Sequence, residues 1–564
     1  MQSLMRLSAV EQARLIRSGQ VSCAEMVEAG IRAIEALNPQ INAVVLTLFE
    51  RAQAELRTLD RNAPFAGVPF LLKDMLAEYG GTVMTEGSRF LKDYVSPHDT
   101  ELVARYRRAG FIILGKTNTP EFASKPTTEP ALFGKTANPW ALTHSAGGSS
   151  GGSGAAVGAG MVAAAHANDG GGSIRLPAAW CGGVGLKPTR GRNPLGPDYG
   201  EMGAGIICEH VITRTVEDSA AILDVTAGAD AGAPYSAAPP ARPFAAEIGA
   251  PPGRLRIALS TIPITGTPVN PEVQAAVLRT ARQCEALGHI VEEASPTVAA
   301  DRLYEVFTTI WLGMVAWAIK DWARRTGKTP TREDFEPHTW KMFSFDAKLR
   351  PSDYLLAVQD MQRMAREVAP FFDTYDVWLT PTTTQPPQPL GWFDFDPAHP
   401  KQATERMSDM PRFSSIANIT GQPAISLPLQ WSEQGLPIGI QFIGRYGDEA
   451  TLFRLSSQLE AAHPWAARKP VISSKTIVLR AYGWPGSASA LISVELSPMS
   501  SPRHRQGVAS QPSYRPNLRH SPRRSSPVSQ QFSSKPRRTR SHRFATARHS
   551  PRMRCCNIAC HRSR

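Results

Sequence analysis

The sequence predicts an α/β protein built around a covered β-sheet, and three observations carry that prediction. Short apolar runs bounded by glycine alternate with amphipathic helical segments across several hundred residues. Residues 254–295 spell out a complete strand–helix–strand unit. A central segment, 153–165, is so uniformly small that only a buried position suits it.

Taken from the N-terminus, residues 7–18 and 22–37 read as amphipathic helices. In the second, Met26, Ile31, Ile34 and Leu37 fall near helical spacing, and the helix is expected to stop before Asn38-Pro39. "GVPFLL" (67–72) and "GFIILG" (110–115) read as buried strands. Between them, "TELVARYRRAG" begins at a good N-cap, Thr100, and ends at Gly110. Ser153 to Ala165, nearly all Ala, Gly, Val and Met, reads as a helix packed closely on every side. Further on, "GRLRIALS" is a strand, Asn270-Pro271 open a helix that Gly288 closes, and "HIVEEAS" is the next strand. Residues 301–372 read as mostly helical. Singly, their aromatics Trp311, Trp317, Trp322, Trp340, Phe343 and Phe345 suit a core; as a group they suit the wall of an apolar pocket.

A chain of 564 residues can bury a large core. Its net charge of +13 is unevenly spread. Residues 471–564 hold 18 Lys and Arg against one acid, Glu495, which leaves −4 for residues 1–470. The body therefore gives no electrostatic reason to expect nucleic acid or an anionic membrane as partner. Cys23, Cys181, Cys208 and Cys284 lie far apart with no CxxC pair, so neither a zinc site nor a disulfide framework is indicated. The first twenty residues lack the apolar core of a signal peptide, and no apolar run is long enough to span a bilayer. A cytoplasmic protein is the expectation.

After about Pro470 the composition turns to Arg, Ser, Pro and His without periodicity. Such a segment cannot bury a core and is expected to be disordered. Clusters such as "KPRRTR" suit a polycation for nucleic acid, but out-of-frame translation of a GC-rich gene gives the same mixture. The frameshift reading is preferred, and Cys555, Cys556 and Cys560 are discounted with it as metal ligands.

One short stretch raises the question of function. In "HANDGGGSIRLPAAW" (166–180), Gly170, Gly171 and Gly172 lead directly into Ser173. Alone, this fits a tight loop whose serine caps the following helix. It equally fits a nucleophile surrounded by unshielded backbone N–H groups. A serine hydroxyl needs a base at neutral pH. Lys73 directly follows an apolar strand, where burial would favour its neutral amine. Between the two in sequence lies "HSAGGSSGGSG" (144–154), in which Ser149 after Gly148 could relay a proton.

These segments resemble the amidase signature family, whose apparatus is a Ser–cisSer–Lys triad. The resemblance spans about residues 1–470 and rests on "GVPFLLKD", "AGFIILGKTNTPEFA", "AGGSSGGSGAAV", "DGGGSIRLPAAWCGGVGLKPTRGR", "ANITGQPAISLP" and "GLPIGIQFIG", in that order. It implies one large domain over 1–470, with a central mixed β-sheet covered on both faces by helices, followed by the basic tail 471–564. It also implies that Ser173 is the nucleophile, that Ser149, joined to Gly148 by a cis peptide, is the relay, and that Lys73 is the base. The N–H groups of Gly170, Gly171, Gly172 and Ser173 would form the oxyanion hole. The substrate would be a small-molecule amide cleaved through an acyl-enzyme with no metal or cofactor, and a homodimer is the assembly to test for.

Supporting parts are expected of Ser150, Asp169 and Arg175, the last two as an ion pair shaping the loop. Cys181 is expected to be a buried small residue. A Ser–His–Asp scheme using His144 or His166 is the weaker rival. "GSSGG" (148–152) matches a nucleophile elbow with Ser150 as nucleophile, but "NPWALTHSAG" before it reads as loop rather than strand. Two further alternatives are a glutamine-hydrolysing subunit of a tRNA-dependent amidotransferase and a silent scaffold binding nucleic acid through its tail. Asn168 before Asp169, and Gly170 in place of a branched residue, depart from the usual family stretch. Together with "EHVITRTVEDSAAILD" and "GDEATLFRLSSQLE", they look more like bacterial hydrolases related to 6-aminohexanoate-cyclic-dimer hydrolase.

Overall fold

The chain's first helices begin where the sequence supplies caps. Ser8 Oγ accepts from the Glu11 N–H at the head of Ala9–Arg17, and Ser22 with Glu25 forms a capping box at the head of Cys23–Ile41. The second helix does not stop before Asn38-Pro39. It carries Pro39 in its last turn and closes on Asn42 in the left-handed region. Asn38 Oδ1 accepts from the Ala43 and Val44 N–H groups at 2.8 Å each, which secures the exit that the proline was expected to force. Thr100 sits at the head of Glu101–Arg108 but makes no side-chain capping bond.

This computed structural model describes residues 4–473. Eleven strands form the central sheet, in the order Val44–Thr47, Ile112–Thr117, Pro69–Lys73, Ala164–Asp169, Cys208–Thr213, Val184–Lys187, Ala424–Trp431, Pro437–Gly444, Val377–Pro381, Arg256–Leu259 and Ile290–Glu293. Pro69–Lys73 runs parallel to both of its neighbours, as does Arg256–Leu259, while the other pairings are antiparallel, so the sheet is mixed. Every residue of Pro69–Lys73, Ile112–Thr117, Ala164–Asp169, Cys208–Thr213 and Pro437–Gly444 is buried. Successive strand residues point to opposite faces, so burial of all of them means that both faces are covered. The predicted unit at 254–295 is present, with its two strands parallel across the helix Pro271–Ala286.

Two predicted segments resolve differently. Residues 153–165 are not one helix: a helix spans Gly151–Ala159, Gly160 closes it in the left-handed region, and a strand begins at Ala164. Ala, Gly and Val suit a buried helix and a buried strand alike, so composition could not place the break. The helix packs close: a Cβ on Gly158 would lie 2.7 Å from the Cys181 carbonyl. "NPWALTHSAG" is not loop either, since Ala137–Asn138 and Ala141–Ser145 pair as a small separate hairpin.

The region 301–372 is helical as predicted, in Ala300–Thr326, Pro337–Ser344 and Pro351–Val368. Its aromatics divide. Trp311 and Phe345 line a cavity, Trp322 is core, and Trp340 and Phe343 pack beside that core. Trp317 is partly exposed. At the C-terminal end the Ile472 N–H still bonds the Pro139 carbonyl at 3.1 Å, two residues beyond the expected boundary. Residues 474–564 lie outside the described residues, and with them the expectations of disorder, frameshift origin and nucleic-acid binding. Among the described residues, no helix is long and apolar enough to cross a membrane.

Candidate active site

Two neighbouring parallel strands deliver the site at their carboxyl ends. Pro69–Lys73 ends on Lys73 and Ala164–Asp169 ends on Asn168 and Asp169, the edge at which α/β sheets commonly hold ligands. Lys73 is fully buried, and its Nζ donates to Ser149 Oγ at 2.7 Å and to Asn168 Oδ1 at 2.6 Å. Burial brings the Lys73 ammonium down to about 7, against the charges of Asp169, Glu209 and Glu86, which act to raise it. A large part of this lysine is therefore a neutral amine at neutral pH.

Ser149 follows a cis peptide from Gly148 and lies just ahead of the helix Gly151–Ala159. Ser173 lies across from it, just ahead of Arg175–Cys181, and the Ser150 N–H holds the Ser173 carbonyl at 3.3 Å. Ser149 and Ser150 are fully buried, whereas Ser173 is half-buried and lines the cavity. Among the described residues, the Ser173 hydroxyl has no hydrogen-bond partner, Ser149 included.

Asp169 and Arg175 form the expected ion pair, fully buried and bidentate: Arg175 Nη2 donates to Oδ1 at 2.8 Å and Nε to Oδ2 at 2.9 Å. Burial alone would push the Asp169 carboxyl up, but the Arg175 charge and hydrogen bonds outweigh it and hold it at about 2. The carboxylate also accepts from the Gly172 N–H at 2.7 Å and the Ile174 N–H at 3.1 Å, so it shapes the loop from inside. Gly172 adopts φ +140°, and a Cβ there would fall 2.3 Å from Leu176 Cδ1, so only glycine fits. The sequence reading counted the Gly172 N–H among the oxyanion donors; it is spent on Asp169 instead. The N–H groups of Gly170, Gly171 and Ser173 donate to no protein acceptor among the described residues.

The rival arrangements do not assemble. Ser150 Oγ is buried and donates to the Asn168 carbonyl at 3.2 Å, so Ser150 supports the loop and is no elbow nucleophile. A strand does precede it, contrary to the sequence reading, but in the separate hairpin rather than the central sheet. His166 accepts from the Lys73 backbone N–H at Nδ1 and contacts Glu209 Oε1 at 3.1 Å through Nε2, beneath the lysine rather than beside Ser173. Among the described residues, the His144 ring hydrogen-bonds only with the Thr143 hydroxyl. Cys181 is buried as expected, its thiol pushed up by burial.

Sequence reasoning noticed Asn168 only as a departure and gave no role to Ser414, Asn418 or Gln441. Asn418 Nδ2 bonds the Asp169 carbonyl and Oδ1, each at 2.9 Å, and Asn418 Oδ1 accepts from Arg175 Nη2 at 2.6 Å. Gln441 Oε1 and the Ser414 carbonyl accept from Arg175 Nη1 at 2.8 Å each. A usable signal existed: Gln441 is the sole polar side chain in the apolar strand "PIGIQFIG", and such a residue needs a buried partner.

Above Ser173 opens a cavity of about 330 Å³, within the size range of small-molecule sites. Leu303, Phe307, Trp311, Met342 and Phe345 give it an apolar wall. A buried lysine amine, a buried serine hydroxyl against it and a half-buried serine beside unclaimed backbone N–H groups suit attack on a carbonyl carbon. The family model for amidases matches residues 25–453. The chain belongs to the amidase family.

Its relatives agree. The chain is 40% identical over 477 residues to 6-aminohexanoate-cyclic-dimer hydrolase of Paenarthrobacter ureafaciens, covering 82% of this chain and 96% of that protein. It matches a solved structure of 6-aminohexanoate cyclic dimer hydrolase complexed with substrate at a TM-score of 0.80 and 38% identity, over 83% of this chain and all of the other. A bacterial aryl acylamidase structure matches at a TM-score of 0.74 and 27% identity, over 82% of this chain and 98% of the other. This amidase is an enzyme that hydrolyses amide bonds.

Proposed function

We propose that this amidase hydrolyses a small carboxamide of methylene character, linear or cyclic, through an acyl-enzyme on Ser173. The observation that carries the assignment is the contact of Lys73 Nζ with Ser149 Oγ at 2.7 Å, fully buried, on a lysine brought down to about 7. A neutral amine has two N–H bonds and one lone pair. Asn168 Oδ1 can only accept, so it takes one N–H and leaves the lone pair to face the Ser149 hydroxyl.

Ser173 then gives its proton to Ser149 as it attacks the carbonyl carbon, and Ser149 gives its own to Lys73. The Ser173 and Ser149 hydroxyls are not hydrogen-bonded to each other here, and such contacts commonly tighten only with substrate bound. The carbonyl oxygen becomes an oxyanion facing the N–H groups of Gly170, Gly171 and Ser173. Collapse of the intermediate breaks the C–N bond, and the amine leaves with the proton returned through Ser149. Water repeats the sequence on the acyl-enzyme and releases the acid.

The apolar wall supports a methylene-rich substrate, and the likeness to a hydrolase of a cyclic amide over nearly its whole length favours hydrolysis over ammonia transfer to a partner subunit. An intact Lys73, Ser149 and Ser173 set has no purpose in a silent scaffold. One copy or two is read by sedimentation, a homodimer being the expectation carried from the sequence. The test is hydrolysis of the 6-aminohexanoate cyclic dimer and of simple anilides by purified protein, followed by chromatography. Turnover that vanishes in Ser173→Ala supports the reading; equal turnover in that variant overturns it.

A further inference from the structure

Among the described residues that line the cavity, Lys125, Lys341 and Arg412 are cations, His338 stands with them, and there is no aspartate or glutamate. On Pro337–Ser344 and the residue after it, His338, Lys341, Met342 and Phe345 follow the i, i+3, i+4, i+7 spacing of a single helix face, and that face is the one turned to the cavity. The cations differ in what they already hold. Lys125 Nζ donates to Glu336 Oε2 at 2.6 Å, and Arg412 donates to Asp409 Oδ1 at 3.2 Å, so both have an acid behind them. His338 is held down at about 4 by burial and by the neighbouring Lys125, so it is uncharged at neutral pH. Lys341 has no hydrogen-bond or ion-pair partner among the described residues.

An ammonium entering this space would meet the uncompensated charge of Lys341 and find no acid among the lining residues to replace its water. A carboxylate would find Lys341, an exposed residue at the cavity, unclaimed beside the apolar wall. We infer that the site selects amides carrying an anionic group remote from the scissile bond, received by Lys341, and rejects those carrying a cation. The inference rests on the proposed amidase site and names its substrate class: amides of a dicarboxylic acid or of an amino acid with a free carboxylate. Specificity of this kind is a difference between competing end groups and owes as much to the repelled ammonium as to the attracted carboxylate.

The test uses two matched series. In the first, the 4-nitroanilides of hexanoic acid, adipic acid (as the mono-anilide) and 6-aminohexanoic acid place a methyl, carboxylate or ammonium at the end of the acyl chain. In the second, the hexanoyl amides of hexylamine, 6-aminohexanoic acid and 1,6-diaminohexane (mono-acylated) place the same ends on the leaving amine. The expected result, in one series or both, is a kcat/KM for the carboxylate about tenfold above that for the ammonium, shrinking with added salt. The carboxylate-to-ammonium ratio should fall towards one in Lys341→Met, reverse in Lys341→Glu and persist in Lys341→Arg. Turnover with ratios near one in both series, or a ratio indifferent to Lys341, overturns this inference and leaves the amidase reading standing. No turnover in either series overturns both.

Discussion

Asn168 Oδ1 accepts from Lys73 Nζ at 2.6 Å, on the same amine that meets the Ser149 hydroxyl at 2.7 Å. A neutral amide at this place fixes the amine's direction without adding charge. A carboxylate there would hold the proton on the lysine. Asn168→Asp should therefore move the acid limb of the kcat/KM profile up by about one pH unit or more, because an adjacent negative charge stabilises the ammonium. A pH–rate series on Asn168→Asp beside the parent enzyme reads this directly. An unmoved limb would remove Asn168 from the base's surroundings.

With Lys73 as the proposed base, the limb in the parent enzyme should be set by that lysine, brought down to about 7 by its burial. The sign follows from the chemistry: below that pH the lysine is protonated and has no lone pair, so activity falls as pH falls through about 7. The kcat/KM of an uncharged anilide should lose about tenfold for each unit below the limb. A flat profile from pH 5 to 8 would contradict a lysine base.

Lys73, Ser149 and Ser173 should behave as one unit. Ser173→Ala should lower kcat by about 10⁴-fold or more, and Lys73→Ala/Ser149→Ala should be little worse than the more damaging of its single variants. Additive losses would mean that the two residues act separately.

Arg175 should matter to stability before chemistry. It is fully buried, and Arg175→Leu would leave the Asp169 carboxylate buried without its cation, a loss of about 3–5 kcal/mol. Arg175→Lys should recover only part, since one ammonium cannot reproduce two parallel N–H bonds to Asp169 and those to Ser414, Asn418 and Gln441. Urea unfolding of the three proteins measures it.

The legible parts of the sequence were those with local causes. The first two helices, the Asn270-Pro271 helix start and the glycine-bounded strands around Lys73 all depend on neighbours in the chain, although Thr100, read as an N-cap, makes no capping bond. Gly170 to Ser173 pointed to the loop, but the sequence could not show that Asp169 turns back and takes the Gly172 N–H. Nor could it place Asn418 and Gln441 against Arg175, because those contacts close across more than two hundred residues. Asn168 looked like a departure from pattern because its partner, Lys73, lies on another strand. The break at Gly160 was hidden by residues equally at home in a buried helix or a buried strand.

The measurement that bears most directly on the central claim is the position of a covalent label. Purified protein is treated with a fluorophosphonate, digested and mapped by peptide mass spectrometry, beside Lys73→Ala. An activated nucleophile predicts label on Ser173 in the parent enzyme and its loss, or slowing by orders of magnitude, in Lys73→Ala. Label on Ser150, or on Ser173 at the same rate without the lysine, would contradict the Lys73–Ser149–Ser173 account.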